Sequence, residues 1–288
     1  MNQIINNEKI ARKKSKIIPR LIIISGVIVF IVLLSILVFN FVIKNSEHKA
    51  SITDLQKHWN AYDYESVYNL SNDILIENPF NNTALTYHGY SAFYLAVSQI
   101  DTALSQSYLD EAINNMRNAL LNAKHSLIPQ LEYMLGKAYF YKNTITSYYY
   151  ADLAVKYLVS ARKHGYKADD IPEYLGLSYA ALGQTMESIS AFTEALLIRE
   201  SDTLLLSIAE QYYKIQQPSA AKQYLFRIIQ NSENDELIIK SRNLLANIYI
   251  DSQEYSDAKS EFELILQKNK NFADAYYGLG VIYEKQGD

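Results

Sequence analysis

Few side chains in this sequence are spaced to do chemistry. Cys is absent, which excludes disulfides, thiolate zinc sites, catalytic thiols and a lipid-modified cysteine. The five histidines, His48, His58, His88, His125 and His164, lie far apart, with no His-Glu-x-x-His and no i, i+4 partner to build a metal face. The carboxylate pairs Asp110-Glu111 and Asp169-Asp170 read as residues at helix starts, where the positive end of the helix dipole favours them. No glycine-rich phosphate loop ending in Gly-Lys-Ser/Thr occurs. Gly278-x-Gly280 falls in a helical pattern instead of after a strand, which removes a dinucleotide fingerprint. The expectation is a non-enzyme with no catalytic residue, no metal and no cofactor.

The composition says what must position the remaining side chains. The chain has 288 residues, 49% of them hydrophobic, with only 9 Gly and 5 Pro. Sandwiches and barrels need frequent turns, so this scarcity of breakers favours long helices with short connections, and the fold class is all-α. The net charge of −4 hides an asymmetry. Residues 1–49 carry 8 Lys/Arg against 2 Asp/Glu, which leaves residues 50–288 at −10. A nucleic-acid partner is excluded for that acidic part, because a phosphate backbone would repel it.

Residues 21–43, from Leu21 to Ile43, contain no ionisable side chain. As a helix this run would extend about 35 Å at 1.5 Å per residue, enough for a bilayer core of about 30 Å. A cleavable signal peptide would have a shorter apolar region and a small-x-small cleavage site, whereas Phe41-Val42-Ile43-Lys44 follows here. The run reads as a retained transmembrane helix between a basic tail (1–20) and a linker (44–50). Lys9, Arg12, Lys13, Lys14, Lys16 and Arg20 precede it, and Lys44, Lys49 and Lys57 follow. Six against three places the N-terminus inside and the rest outside the cytoplasm, in a periplasm if the source is bacterial.

Internal similarity dominates residues 51–288. The segments PEYLGLSYAALGQ and FADAYYGLGVIYEKQGD both place Leu-Gly, then Tyr three residues after the Gly, then Gly four after that. This spacing resembles the tetratricopeptide repeat, a 34-residue helix-turn-helix unit. Counting Ala273 as position 1 puts Leu279, Gly280, Tyr283 and Gly287 at positions 7, 8, 11 and 15. Equivalent starts fall near 48, 82, 129, 169, 202, 239 and 273, with about 11 and 6 extra residues in the second and third units. Small residues at positions 8 and 20 let the two helices of a hairpin approach closely, and large ones at 7, 11 and 24 fill the space between hairpins. The resemblance implies a solenoid of about six full repeats plus a half repeat, whose first helices line a concave groove. Position 16 falls at residue 288, so the last unit reads either as a cap or as part of a longer solenoid.

In tetratricopeptide domains, positions 2, 5, 9, 12 and 13 of the first helix line the groove that takes extended peptides. By that resemblance the groove residues are Tyr90, Phe93, Tyr94, Tyr133, Lys137, Phe140, Tyr141, Tyr213, Lys214, Asn243, Asn247 and Tyr277, with Glu210 and Asp251 beside them. The alternative is that these aromatics only pack. Lys137 lacks the Asn, Lys and Arg companions with which some members grip a C-terminal carboxylate, so that role is not expected.

The expected function is a membrane-anchored scaffold for protein or peptide partners in an envelope, secretion or assembly complex, with no small-molecule substrate. The alternative is the substrate-presenting arm of a longer enzyme, such as a glycosyltransferase. A reporter that is active only outside the cytoplasm, fused after Asp63, is expected to be active. A silent reporter would reverse the topology.

Overall fold

The computed structural model describes residues 30–38, 51–146 and 149–287. The chain divides into two units, Met1–Ser51 and Ile52–Asp288.

In the first unit, residues 30–38 are helical (α1). Its large apolar side chains, Phe30 to Leu34 and Ile36 to Val38, are all 49% to 66% exposed. The rest of the transmembrane helix expected over 21–43, the basic tail 1–20 and the linker 44–50 lie outside the described residues. Among the described residues, no helix is long and apolar enough to cross a membrane.

The second unit is a succession of antiparallel helix pairs. They are α2 (Ile52–Asn60) with α3 (Tyr64–Glu77), α4 (Asn82–Ser98) with α5 (Thr102–Leu121), and α6 (Ile128–Ile145) with α7 (Ala151–Lys163). Then come α8 (Ile171–Ala181) with α9 (Thr185–Ile198), α10 (Asp202–Lys214) with α11 (Pro218–Asn231), and α12 (Asp235–Asp251) with α13 (Tyr255–Lys268). A further helix, α14 (Ala273–Gln286), packs on α13. Local sequence sets many of the starts. Asp63, Asn81, Asp101, Ser201 and Asn234 accept a backbone N–H from the first turn of the helix that follows, satisfying a donor that the helix leaves unpaired. Pro opens α6, α8 and α11, where its missing N–H costs nothing.

Close approach within each pair depends on one small residue. A Cβ added at Gly89 would lie 2.5 Å from Met116 Cγ, and one at Gly136 would lie 2.6 Å from Leu158 Cγ. At Gly176 it would run into the Phe192 ring. Ala209 and Ala246 hold the equivalent places, fully buried beside Leu225 and Phe262. The first helices also touch one another, at α2–α4, α4–α6, α6–α8, α10–α12 and α12–α14. This makes an inner side built from first helices, as a solenoid requires.

The extra residues of the second and third units lengthen helices: α4, α5 and α6 have 17, 20 and 18 residues. Asp110 and Glu111, expected at a helix start, fall in the middle of α5, where Asp110 pairs with Lys142 and Glu111 accepts the Tyr68 hydroxyl at 2.5 Å. α12 begins four residues before the repeat start inferred at Ile239, because Asn234 caps it.

The turn inside a pair recurs with one backbone conformation. Tyr62, Gly183, Gln216 and Gln253, each at position 15, have φ of 59°, 72°, 56° and 63°. Only Gly adopts this left-handed region freely, and another residue pays about 1 kcal/mol. Gln253→Gly is therefore expected to raise Tm by about 2–4 °C, equivalent to about 1 kcal/mol for a unit of this size. An unchanged or lower Tm in a thermal melt would show that the side chain compensates for its strain.

Candidate functional site

The inner side of the first four pairs carries a continuous run of aromatic rings. Trp59, at the end of α2, contacts Tyr64 of α3 and Tyr87, Tyr90 and Tyr94 of α4, with centroids 5.4–5.9 Å apart. Tyr64 and Tyr94 stack face to face at 4.3 Å. Phe93 then meets Tyr94 and Tyr141 edge-on. On α6, Phe140 and Tyr141 reach Tyr174 of α8 at 5.0 and 6.1 Å, and the Tyr141 and Tyr174 hydroxyls are 3.2 Å apart. Edge-to-face and offset contacts of this kind contribute about 0.5–1.5 kcal/mol each beyond burial. Tyr64, Tyr94, Phe140, Tyr141 and Tyr174 are half-buried, so part of each ring faces outward.

A charged knot ends this run. Lys137 Nζ lies 2.9 Å from Asp170 Oδ2 and sits over the rings of Tyr174 and Tyr133, 4.8 and 5.2 Å from their centroids. The Tyr133 hydroxyl donates to Asp170 at 2.8 Å, and its ring packs on Tyr166. Burial first, and then the Asp170 carboxylate, push the Tyr133 hydroxyl well above its ordinary pKa. It is therefore a neutral donor at physiological pH.

The predicted groove residues do not share one surface. Tyr90, Phe93 and Tyr133 are buried in the core and offer no groove surface, because inward-facing positions of α4 and α6 are used to pack adjacent first helices. Tyr94, Lys137, Phe140 and Tyr141 belong to the outward part of the aromatic run. Tyr213 and Lys214 of α10 line a separate cavity of about 640 Å³ with Gln216, Pro218, Ile248, Asp251 and Ser252. There the Tyr213 hydroxyl donates to Asp251 at 2.6 Å, and burial followed by that contact pushes it up to about 12. Asn243 and Asn247 are half-buried on α12, and Tyr277 is 77% exposed on α14. The sequence reading missed Trp59, Tyr64, Tyr174 and Asp170. Two of these had a signal: Trp59 is position 12 of the first unit and Asp170 position 2 of the fourth.

One constellation has the outline of a catalytic triad. His88 Nδ1 is 3.0 Å from Ser71 Oγ, and its Nε2 is 3.5 Å from Glu111 Oε2. Ser71 is fully buried and its hydroxyl donates to the Val67 carbonyl at 2.6 Å, so it cannot reach a substrate. Burial holds the His88 pKa below its usual value. The group is a closed structural network joining α3, α4 and α5. Among the described residues no cluster of three or more His, Asp or Glu could hold a metal ion.

A family model described as the tetratricopeptide repeat protein 21 C-terminal ARM domain matches residues 160–288. Two crystal forms of MamA AMB-1 are similar at 18% identity, with TM-scores of 0.51 and 0.50. They cover 63% and 61% of this chain and 90% and 93% of the MamA chain. A thermophilic TPR protein of Thermus thermophilus matches at 16% identity and TM-score 0.42, over 67% of this chain and 96% of its own. No curated protein matches. These likenesses show the fold, an all-α helical-repeat solenoid of the tetratricopeptide-like kind.

Lys137→Met keeps the apolar stem and removes the ion pair and the cation–π contacts. The knot is partly buried, with the Lys137 and Asp170 side chains 16% and 35% exposed, and contributes about 1 kcal/mol, so Tm is expected to fall by about 2–4 °C. A fall much larger than this would mean that Lys137 holds the α6–α8 junction together.

Proposed function

We propose that this chain is a non-catalytic scaffold, anchored in a membrane by residues 21–43, that binds protein or peptide partners on the aromatic inner side of its repeats. The observation that carries this reading is the run of half-exposed rings through Tyr94, Tyr141, Phe140 and Tyr174. Such a surface gives a partner large contact area from side chains whose rotamers are already fixed by ring packing, so little entropy is lost on binding. Tyrosine hydroxyls at the rim add hydrogen-bonding tips, which suits extended segments with apolar or aromatic side chains.

The anchor rests on the uncharged run from Leu21 to Ile43 and on α1, whose apolar side chains are exposed on every side and whose Ser35 hydroxyl is satisfied by the helix's own Ile31 carbonyl. A helix that is apolar all round is at home in lipid. With the N-terminus inside, as the charge bias directs, the repeats lie outside the cytoplasm and serve an envelope, secretion or assembly complex.

The test is photocrosslinking in the full chain in its native membrane. A photoreactive residue at Tyr141 is expected to give discrete polypeptide adducts, and the same group at exposed Arg117 on α5 is not. Adducts from 117 alone would move the binding surface to the second helices. No adducts from either position would remove the binding reading.

A further inference from the structure

Asp251 stands where helix physics disfavours a carboxylate. It is the last residue of α12, at the negative end of the helix dipole, and the last turn of α12 holds no basic residue to offset it. The end of α10 comes to the same place, where Tyr213 and Lys214 face the cavity that Asp251 also lines. Other carboxylates of the first helices are matched: Asp170 pairs with Lys137, and Glu173 with Arg199. Asp251 accepts the Tyr213 hydroxyl at 2.6 Å, and no Lys, Arg or His of the described residues pairs with it. A local rule broken without compensation inside the chain marks a position that serves something outside it.

The cavity, of about 640 Å³, shows what that is. Its polar lining is rich in acceptors. Asp251 offers a carboxylate, the Tyr213 oxygen has given its proton to Asp251, and Gln216 and Ser252 add side-chain oxygens. Pro218 and the fully buried Ile248 supply an apolar wall. Lys214 is the one cation in the lining, and its charge is engaged by its own helix: burial pushes the Glu210 carboxyl up, and the Lys214 ammonium one turn along α10 pulls it back down. The matching ligand group is flat, positive and rich in donors, on an apolar stem. A guanidinium meets each demand, because it grips a carboxylate with two parallel N–H bonds, stacks on aromatic faces and gives up water readily. The charge of −10 over residues 50–288 draws such a cation in.

We propose that this cavity binds a guanidinium group, the side chain of an arginine on a polypeptide partner. The site stands on its own geometry, and the polypeptide source of the guanidinium rests on the scaffold reading.

The probe is the blocked peptide acetyl-Ala-Arg-Ala-amide, titrated against the full chain in detergent by saturation-transfer NMR. Saturable binding is expected, and the citrulline peptide, which has the same shape without the charge, should bind at least tenfold more weakly. Asp251→Asn should weaken the arginine peptide by a similar factor while keeping or raising Tm, since it removes a charge from the wrong end of a helix. Lys214→Gln should leave binding unchanged or tighter. Absence of binding, or binding indifferent to Asp251→Asn, would overturn the site. Loss of binding together with a lower Tm would make Asp251 a structural residue, and loss on Lys214→Gln would make the cavity an anion site; either overturns it as well. A photoreactive residue at Ser252, in the native membrane, is expected to give a polypeptide adduct that Asp251→Asn removes. Peptide binding without that adduct would give the site to a free guanidino compound and overturn the polypeptide source, whereas failure of the scaffold reading shows separately, as the absence of adducts from Tyr141.

Discussion

The distance between the two helices of each pair is the constraint on which the other features rest. Axes that cross at about 8–10 Å leave no room for a side chain on one helix at the crossing point. Gly89, Gly136 and Gly176, with Ala209 and Ala246, supply that absence, and Met116, Leu158, Phe192, Leu225 and Phe262 occupy it. Because protein interiors are close-packed, a single methyl at such a point is felt through the whole pair. The position of the small residue therefore fixes where the second helix lies. Through it, the position also fixes which residues of the next first helix are pressed inward.

The aromatic run follows from that geometry. Consecutive first helices stand side by side, so rings at inward positions of α4, α6 and α8 meet at sequence separations of 30 residues or more, as Phe93 and Tyr141 do. Some rings are consumed in this contact and others are left half-covered. The same residue type thus does two jobs on one surface. Buried Tyr90 and Tyr133 stiffen the junctions between pairs, and Tyr94, Tyr141 and Tyr174 are held in place by them while still presenting surface. Binding surface and core are continuous here, which is why substitutions in the run act on stability and recognition together.

The repeat was legible in the sequence because close approach leaves a mark every 34 or so residues: a glycine or alanine, a tyrosine three later, a glycine in the turn. The turn at position 15 was legible in part, through Gly183 and Gly287, and hidden where Tyr62, Gln216 and Gln253 accept the same strained backbone. Which groove positions would be buried was not legible. Burial of Phe93 depends on Tyr141 from another pair, and a single-repeat pattern contains no record of its neighbour. The lengthening of α4 and α5 was also hidden, since added turns of helix preserve the apolar spacing on both sides of the insertion. Trp59 and Asp170 are legible as well, because they stand at groove positions 12 and 2 of their units.

The single tryptophan of the chain sits at the first end of the ring run, within 5.4–5.9 Å of four tyrosines. Light absorbed by those phenols passes to the indole before it can be emitted. The molecule therefore contains its own optical gauge: emission from Trp59 reports whether α2, α3 and α4 remain assembled, and it is blind to melting at α12 to α14. In a solenoid whose pairs touch only their neighbours, that gives one end of the array a signal of its own, so loss of order can be assigned to a place as well as a temperature.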